Sequence, residues 1–296
     1  MIDLIKQSII ANHENYIILH NGKIVDSTPS AMNLRFEKDI DLKVIHLIDQ
    51  DTVIDYYFGS NANVRIEEVF YKIIASPTIK INLEIRENAI VDYLSIMKTD
   101  GGSAVTAFVN TTIANNAYIN YKILSTLSAN GKMVERLYLN EDHAKADIKH
   151  VIVNSSGQEQ NFTIDVHHNA PVTVSSLKNY GITNNNSKLT INTTGIVKRH
   201  SKQADLKQNT KGLILDLNSN LSANPILIID DFDCIANHGA SIGAIDDEEL
   251  YYLMSRGLTK EQSEKLIVES FINPFLIEVK EGKFQEFLKS WIKTNI

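Results

Sequence analysis

From about Tyr16 to Asp230, short segments of alternating apolar and polar residues succeed one another, separated by Asn, Gly, Ser and Asp. In Tyr118-Ile119-Asn120-Tyr121-Lys122-Ile123-Leu124 the apolar side chains largely alternate with polar ones. Phe162, Ile164 and Val166 share one face of Asn161 to His167, and Lys188-Leu189-Thr190-Ile191-Asn192 repeats the pattern. A period of two with many β-branched residues predicts half-buried strands. No helical stretch between them is long enough to cross over between parallel strands, which excludes a doubly wound fold. A sandwich, a barrel or a solenoid remains. Asn and Gly at the corners suit the tight, partly left-handed turns of a parallel β-helix. No clean internal repeat aligns, so the pattern by itself leaves sandwich and solenoid both open.

The period changes after Ile245. Asp246-Asp247-Glu248-Glu249 puts carboxylates at a helix start, where the positive end of the macrodipole favours them. Leu250, Leu253 and Met254 follow at helical spacing, Arg256 falls in the last turn, and Gly257 suits the residue after it. Thr259-Lys260-Glu261-Gln262 has the form of a capping box. It opens a second helix with Leu266, Ile267 and Phe271 on one side, which Asn273-Pro274 is expected to break. A last amphipathic helix is predicted through Phe284, Phe287, Leu288, Trp291 and Ile292. The expected organisation is a short helical or irregular segment over 1–15, a β core over 16–245 and a helical subdomain over 246–296.

A net charge of -7 argues against a phosphate-neutralising surface, so no nucleic-acid partner is expected. The first ten residues lack a basic leader, with Asp3 and Lys6 interrupting the apolar run, and do not read as a signal peptide. No window approaches the length of a membrane span. Cys234 is the only cysteine, which leaves no internal disulfide and points to the cytoplasm. The Asn-x-Ser/Thr triplets at Asn110, Asn154 and Asn192 then reflect an Asn-rich composition rather than glycosylation.

The densest candidate chemistry lies in Asp230-Asp231-Phe232-Asp233-Cys234-Ile235-Ala236-Asn237-His238. A thiolate, an imidazole and carboxylates can all bind iron or zinc. Cys234 and His238 fall short of a tetrahedral set, and a conventional cluster wants four thiolates. If metal binds here, a second subunit must complete the site. The structural alternative is a small buried Cys234 and a hydrogen-bonded turn histidine. His167 and His168 face opposite ways on a strand and cannot chelate together without a bulge. His143, His150 and His200 stand isolated and read as surface or packing residues. Nucleophile-elbow and P-loop patterns are absent, and the paired carboxylates Glu67-Glu68 and Asp246 to Glu249 do not argue for a hydrolase. A carbohydrate-active β-helix enzyme would show export signals and clustered acids on one sheet face.

The run from His238-Gly239-Ala240-Ser241-Ile242-Gly243 through Asp246-Asp247-Glu248-Glu249-Leu250-Tyr251-Tyr252-Leu253-Met254-Ser255-Arg256-Gly257 closely resembles the signature of the SufB/SufD family. Asn169-Ala170-Pro171-Val172-Thr173-Val174-Ser175, Thr194-Gly195-Ile196-Val197, Gly212-Leu213-Ile214-Leu215 and Asn224-Pro225-Ile226-Leu227-Ile228-Ile229 resemble further family strands, so the likeness covers about Asn161 to Phe271. His-Gly-Ala and the single cysteine are closer to the family's SufD branch than to its SufB branch. The resemblance implies a right-handed parallel β-helix that acts as a non-catalytic scaffold in iron–sulfur cluster assembly. It implies pairing with a SufB-like subunit through the β-helix, with a homodimer as the alternative. It further implies docking of a SufC-like ABC ATPase on the helices, through Leu250, Tyr251, Leu253, Met254, Arg256 and Gly257. His238 would lie at the SufB-like interface and supply one ligand to iron or a transient cluster shared with that partner, Cys234 less securely. Gly239, Ala240 and Gly243 complete the motif. Two departures are visible. The chain is shorter than typical members at its N-terminal helical region, and Cys234 stands four residues before His238.

Overall fold

A computed structural model describes residues 9–10, 15–28, 34–99, 103–155, 157–282, 285–286 and 289–290. The alternating segments form strands β1 (Asn15–His20), β2 (Lys23–Thr28), β3 (Arg35–Phe36), β4 (Ile40–Ile48), β5 (Thr52–Phe58), β6 (Asn63–Ile73), β7 (Thr78–Ile85), β8 (Ile90–Lys98) and β9 (Val105–Ile113). They continue as β10 (Tyr118–Thr126), β11 (Gly131–Leu139), β12 (Lys145–Asn154), β13 (Glu159–His168), β14 (Val174–Thr183), β15 (Lys188–Val197), β16 (Ala204–Ile214), β17 (Asn220–Ile229) and β18 (Cys234–Ala244). Even-numbered strands from β4 to β18 lie side by side in a ten-stranded sheet that β1 and β2 complete at one edge, and odd-numbered strands from β3 to β17 form an eight-stranded sheet. The chain therefore crosses from one sheet to the other once per strand. Every pairing beyond the β1–β2 hairpin is parallel and joins one coil to the next. A sandwich of Greek keys would need antiparallel neighbours, so the parallel ladder decides for a β-solenoid.

The repeat that holds the coils in register sits at a corner. Asn61, Asn88 and Asn116 adopt left-handed backbone with φ of 63°, 58° and 56°. Their amides stack: Asn88 Nδ2 donates to Asn61 Oδ1 at 3.1 Å, 27 residues away, and Asn116 Nδ2 donates to Asn88 Oδ1 at 2.8 Å, 28 residues away. Asn suits the position because it tolerates that conformation and bonds locally. In the following coils the same corner passes to His143, Val172 and Gln203, with φ of 61°, 58° and 58°. The N–H of each corner residue donates to a carbonyl of the next coil, as Asn116 does to Asp142, His143 to Pro171 and Val172 to Lys202. The residue type changes while the backbone role persists, which hides the repeat from sequence alignment.

Inward-facing side chains fill the lumen. Tyr56, Tyr93, Tyr121, Phe58, Phe70 and Phe162 are at most 2% exposed. The outer face of the ten-stranded sheet is partly covered as well. Ile18, Ile45, Val69, Leu94, Leu124 and Val151 form a second cluster with Ile267, Val268, Ile272 and Phe275 from the helical region. This double burial is why alternation weakens near Lys122 and Leu124, both buried.

Two helices follow, α1 (Asp247–Ser255) and α2 (Lys260–Leu276). Asp246 caps α1 by accepting from the Glu248 N–H, and Thr259 with Gln262 forms the predicted capping box of α2. Gly257 has φ of +96°, as a residue just past a helix end requires. Two expectations fail. Helix α2 does not break at Asn273-Pro274 but runs to Leu276. Pro removes one hydrogen bond and costs roughly 3 kcal/mol in a helix interior, but here only the last turn remains. Burial of Ile272 and Phe275, each 1% exposed, offsets that loss. Leu266 lies outward at 45% exposure, and the buried stripe is Ile267, Val268, Ile272 and Phe275. Beyond α2, Glu278 pairs with Lys149 and Lys122, and Lys280 pairs with Asp41 at 2.6 Å, tying the chain across the sheet. Of the segment expected over 1–15, only residues 9, 10 and 15 are described, and the final helix through Phe284 and Trp291 lies outside the described residues.

Val172 is a β-branched residue held at φ of 58°. The left-handed conformation costs an ordinary L-residue about 1–2 kcal/mol, and Asn less. Val172→Asn should therefore raise stability by about 1 kcal/mol, read as a higher urea midpoint at unchanged m-value.

Candidate functional site

Strand β18 ends the solenoid. Among the described residues it pairs only with β16, in a register that sets Ala204 against Cys234, Gln208 against His238 and Thr210 against Ala240. Ala204, Leu206, Gln208, Thr210 and Gly212 face the lumen, as their burial shows. In-register neighbours of a parallel ladder point the same way, so Cys234, Ala236, His238, Ala240 and Ile242 also face inward. Among the described residues no further coil covers them, and His238 is exposed. The imidazole therefore stands at the mouth of the lumen. Apolar side chains crowd the same end: Phe232 is 91% exposed, Ile235 59%, Ile226 49% and Ile228 47%. A Cβ added at Gly239 or Gly243 meets nothing within 4 Å, and neither has a positive φ. Neither this chain's packing nor its backbone requires glycine there.

Cys234 and His238 share a face but do not converge. Four residues of extended strand separate their Cα atoms by about 13 Å, too far for both to bind one ion. Partial burial, then the Asp231 and Asp233 carboxylates, push the Cys234 thiol up, which disfavours the thiolate that metals bind. Among the described residues no three His, Cys, Asp or Glu side chains group as a metal site. Were a metal to bind at His238, this strand would offer it one imidazole and a complete coordination shell would need donors from elsewhere.

Behind His238 the lumen is polar. On β12, His150 is 1% exposed and lies 3.1 Å from Glu135 on β11, itself 1% exposed. His150 Nδ1 donates to Asn179 Oδ1 at 2.9 Å, and Asn179 Nδ2 donates to Thr210 Oγ1 at 3.1 Å. Burial pushes the His150 imidazole down, but the facing Glu135 carboxylate and the Asn179 bond outweigh it, and its pKa lies above the ordinary value. His150 is thus an ion-paired core residue rather than an isolated packing residue. Farther back, Glu68 accepts from Tyr56 Oη at 2.6 Å, Tyr93 Oη at 2.5 Å, Ser95 Oγ at 2.8 Å and His46 Nε2 at 2.8 Å. Burial alone would raise its carboxyl; His46 and the phenol hydroxyls bring it below the usual range. The Glu135–His150 pair was not anticipated from sequence. Its signal is a carboxylate in the apolar register of β11, between the inward Met133 and Leu137.

The adjacent histidines divide as strand geometry demands. His168 faces the core, bonded to Thr173 Oγ1 at 2.8 Å and Ser175 Oγ at 2.7 Å, and burial lowers its pKa to about 4. His167 lies outside, stacked on Tyr138 at 4.7 Å. On α1, Leu250 and Leu253 pack toward the sheet cluster, whereas Tyr251 is 75% exposed, Tyr252 54% and Met254 42%. Arg256 closes over the Tyr252 ring at 5.1 Å. The outward aromatic face of α1 is therefore Tyr251, Tyr252 and Met254.

Residues 58–271 match the family model described as SUF system FeS cluster assembly, SufBD core domain. The chain is 32% identical over 155 residues to the iron–sulfur cluster assembly protein SufD of Bacillus subtilis, covering 52% of this chain and 36% of that protein. It is 31% identical over 138 residues to an iron–sulfur cluster assembly SufBD family protein of Staphylococcus epidermidis, covering 46% of this chain and 29% of the relative. A SufBD family protein of Staphylococcus haemolyticus is 30% identical over 138 residues, with the same coverage of both chains. The matched stretch thus spans about a third of the length of these curated relatives.

Two outcomes follow from the lumen. Removing one partner of a buried ion pair costs about 3–5 kcal/mol, so Glu135→Ala should lower the unfolding free energy by that order, whereas Glu135→Leu with His150→Leu should cost far less. The pH profile has two limbs. His150, with a raised folded pKa, contributes fully below about pH 6.5 and loses its contribution as pH rises through the folded value. His168, with a folded pKa of about 4, removes stability as pH falls from about 6.5 toward 4. Urea melts from pH 4 to 9 should show both limbs, and Glu135→Gln should flatten only the alkaline one.

Proposed function

Because this chain belongs to the SufBD core family of the SUF system for FeS cluster assembly, we propose that it is a SufD-like, non-catalytic scaffold subunit whose open coil end pairs with a SufB-like subunit. The observation that carries the reading is His238 on the inward face of a strand with a free edge. An unpaired strand edge leaves main-chain donors and acceptors unmet and recruits another strand. Pro225 interrupts the free edge of β17, where it has no N–H to give, whereas β18 carries no proline. Strand addition therefore favours β18. Gly239 and Gly243, open in this chain, leave room for a close backbone approach from the partner.

In this reading iron or a nascent cluster is cargo. His238 supplies one imidazole, and thiolates or carboxylates of the SufB-like subunit supply the rest. Cys234, displaced along the strand and biased toward its protonated form, is a separate and weaker donor. The helical region docks a SufC-like ABC ATPase. The exposed Tyr251, Tyr252 and Met254 give it an apolar contact, Arg256 and Gly257 frame that surface, and Leu250 and Leu253 brace α1 from behind. The cytoplasm is the expected compartment. Among the described residues no helix is long and apolar enough to cross a membrane.

The tests separate the two surfaces. His238→Ala should leave the circular dichroism spectrum and melting temperature unchanged while lowering the cluster content of the reconstituted complex at least severalfold; full cluster formation by that variant removes His238 from the site. Tyr251→Ala with Met254→Ala should abolish ATPase capture in a pull-down without altering the fold, and retained capture refutes the docking assignment. Sedimentation of the chain with and without a SufB-like subunit distinguishes a heterodimer from self-pairing through β18.

A further inference from the structure

Gln208 sits one strand behind His238, on the lumenal face of β16 and in register with it. It is 4% exposed, yet its Nε2 has no hydrogen-bond partner. Its Oε1 is engaged, accepting from Thr193 Oγ1 at 3.4 Å, so the free end of the amide is the donor. A buried donor left unpaired costs roughly 1–3 kcal/mol and calls for an acceptor that the chain itself does not hold.

Gly195 makes room for this amide. A Cβ there would lie 2.8 Å from Gln208 Nε2, and 2.6 and 2.7 Å from the Leu206 methyl groups. Its φ is not positive, so backbone conformation does not require glycine. Space does. The neighbouring strands of a sheet lie about 4.8 Å apart, which sets Gln208 directly behind His238 on the same lumenal face.

We propose that Gln208 is a positioning residue for the cargo held at His238, its free N–H donating to a sulfur of that cargo, whether bridging sulfide or a partner's thiolate. The inference rests on the His238 reading given above. A neutral amide suits the task. It offers a hydrogen bond to an electron-rich sulfur without adding charge to a lumen that already contains the Glu135–His150 pair. Hydrogen bonds to cluster sulfurs stabilise the more negative, reduced state and so raise the reduction potential.

The experiment uses the full chain with its SufB-like partner, reconstituted anaerobically with ferrous iron and sulfide. Gln208→Met keeps the volume and removes the donor; Gln208→Glu keeps the shape and replaces the donor with an acceptor. Both are compared with wild type and with His238→Ala by redox titration of the bound cluster and by resonance Raman of the Fe–S stretches. The expected result for Gln208→Met is unchanged fold and near-normal cluster content, with a potential more negative by about tenfold in the oxidised-to-reduced ratio, 59 mV for one electron. A loss of deuterium sensitivity in the Fe–S bands should accompany it. Gln208→Glu should move the potential farther the same way. If His238→Ala abolishes the cluster while both Gln208 variants titrate as wild type does, the Gln208 proposal fails and the His238 reading stands. If His238→Ala binds a normal cluster, both fall. Should Gln208→Met not fold, Gln208→Glu carries the same test.

Discussion

Parallel main-chain hydrogen bonding between successive coils governs this molecule. Each strand satisfies its neighbours in the coil before and the coil after, so every interior coil is complete and the last one is not. An incomplete edge in water tends to aggregate unless it is covered or used. Here β18 is neither bulged nor guarded by proline, and apolar Ile235, Ile242 and Phe232 surround it. The same geometry that stacks the coils thus leaves, at β18, the edge proposed above for strand addition. It also turns the terminal strand's inward residues into the rim of an open cavity.

The lumen is not uniformly apolar. Glu68 is saturated by four donors and serves as a rigid knot deep in the solenoid. Elsewhere buried polar atoms stand without a hydrogen-bond partner, among them His46 Nδ1 beside Glu68 and Gln208 Nε2 near the open end. A protein optimised only for stability would fill such positions with apolar side chains, since well-packed hydrophobic replacements of buried ion pairs are often neutral or stabilising.

The helical region is attached to the opposite side of the sheet from the lumen, by an apolar stripe of α2 and by ion pairs of Glu278 and Lys280. Helix α1 contributes no buried residue and presents its aromatic face outward. Only two residues separate it from β18, so a force applied to α1 reaches the strand that carries His238 through a very short connection. The two proposed contacts are therefore mechanically adjacent, although one faces outward and the other closes the lumen.

Local chemistry was legible in the sequence because its causes are local. Period-two alternation gave the strands, while Asp246, the Thr259–Gln262 box and Gly257 gave the helix ends. The motif around His238 gave the family. The coil repeat was not legible, because the corner needs only a left-handed backbone, which Asn61, Asn88 and Asn116 supply in one way and His143, Val172 and Gln203 in others. Pro274 misled because tertiary burial of Phe275 outweighs a local helix-breaking rule. Which face His238 takes, its separation from Cys234, and the meeting of Glu135 with His150 across two sheets all depend on register. Register is a relation between distant strands. Only the folded ladder decides it.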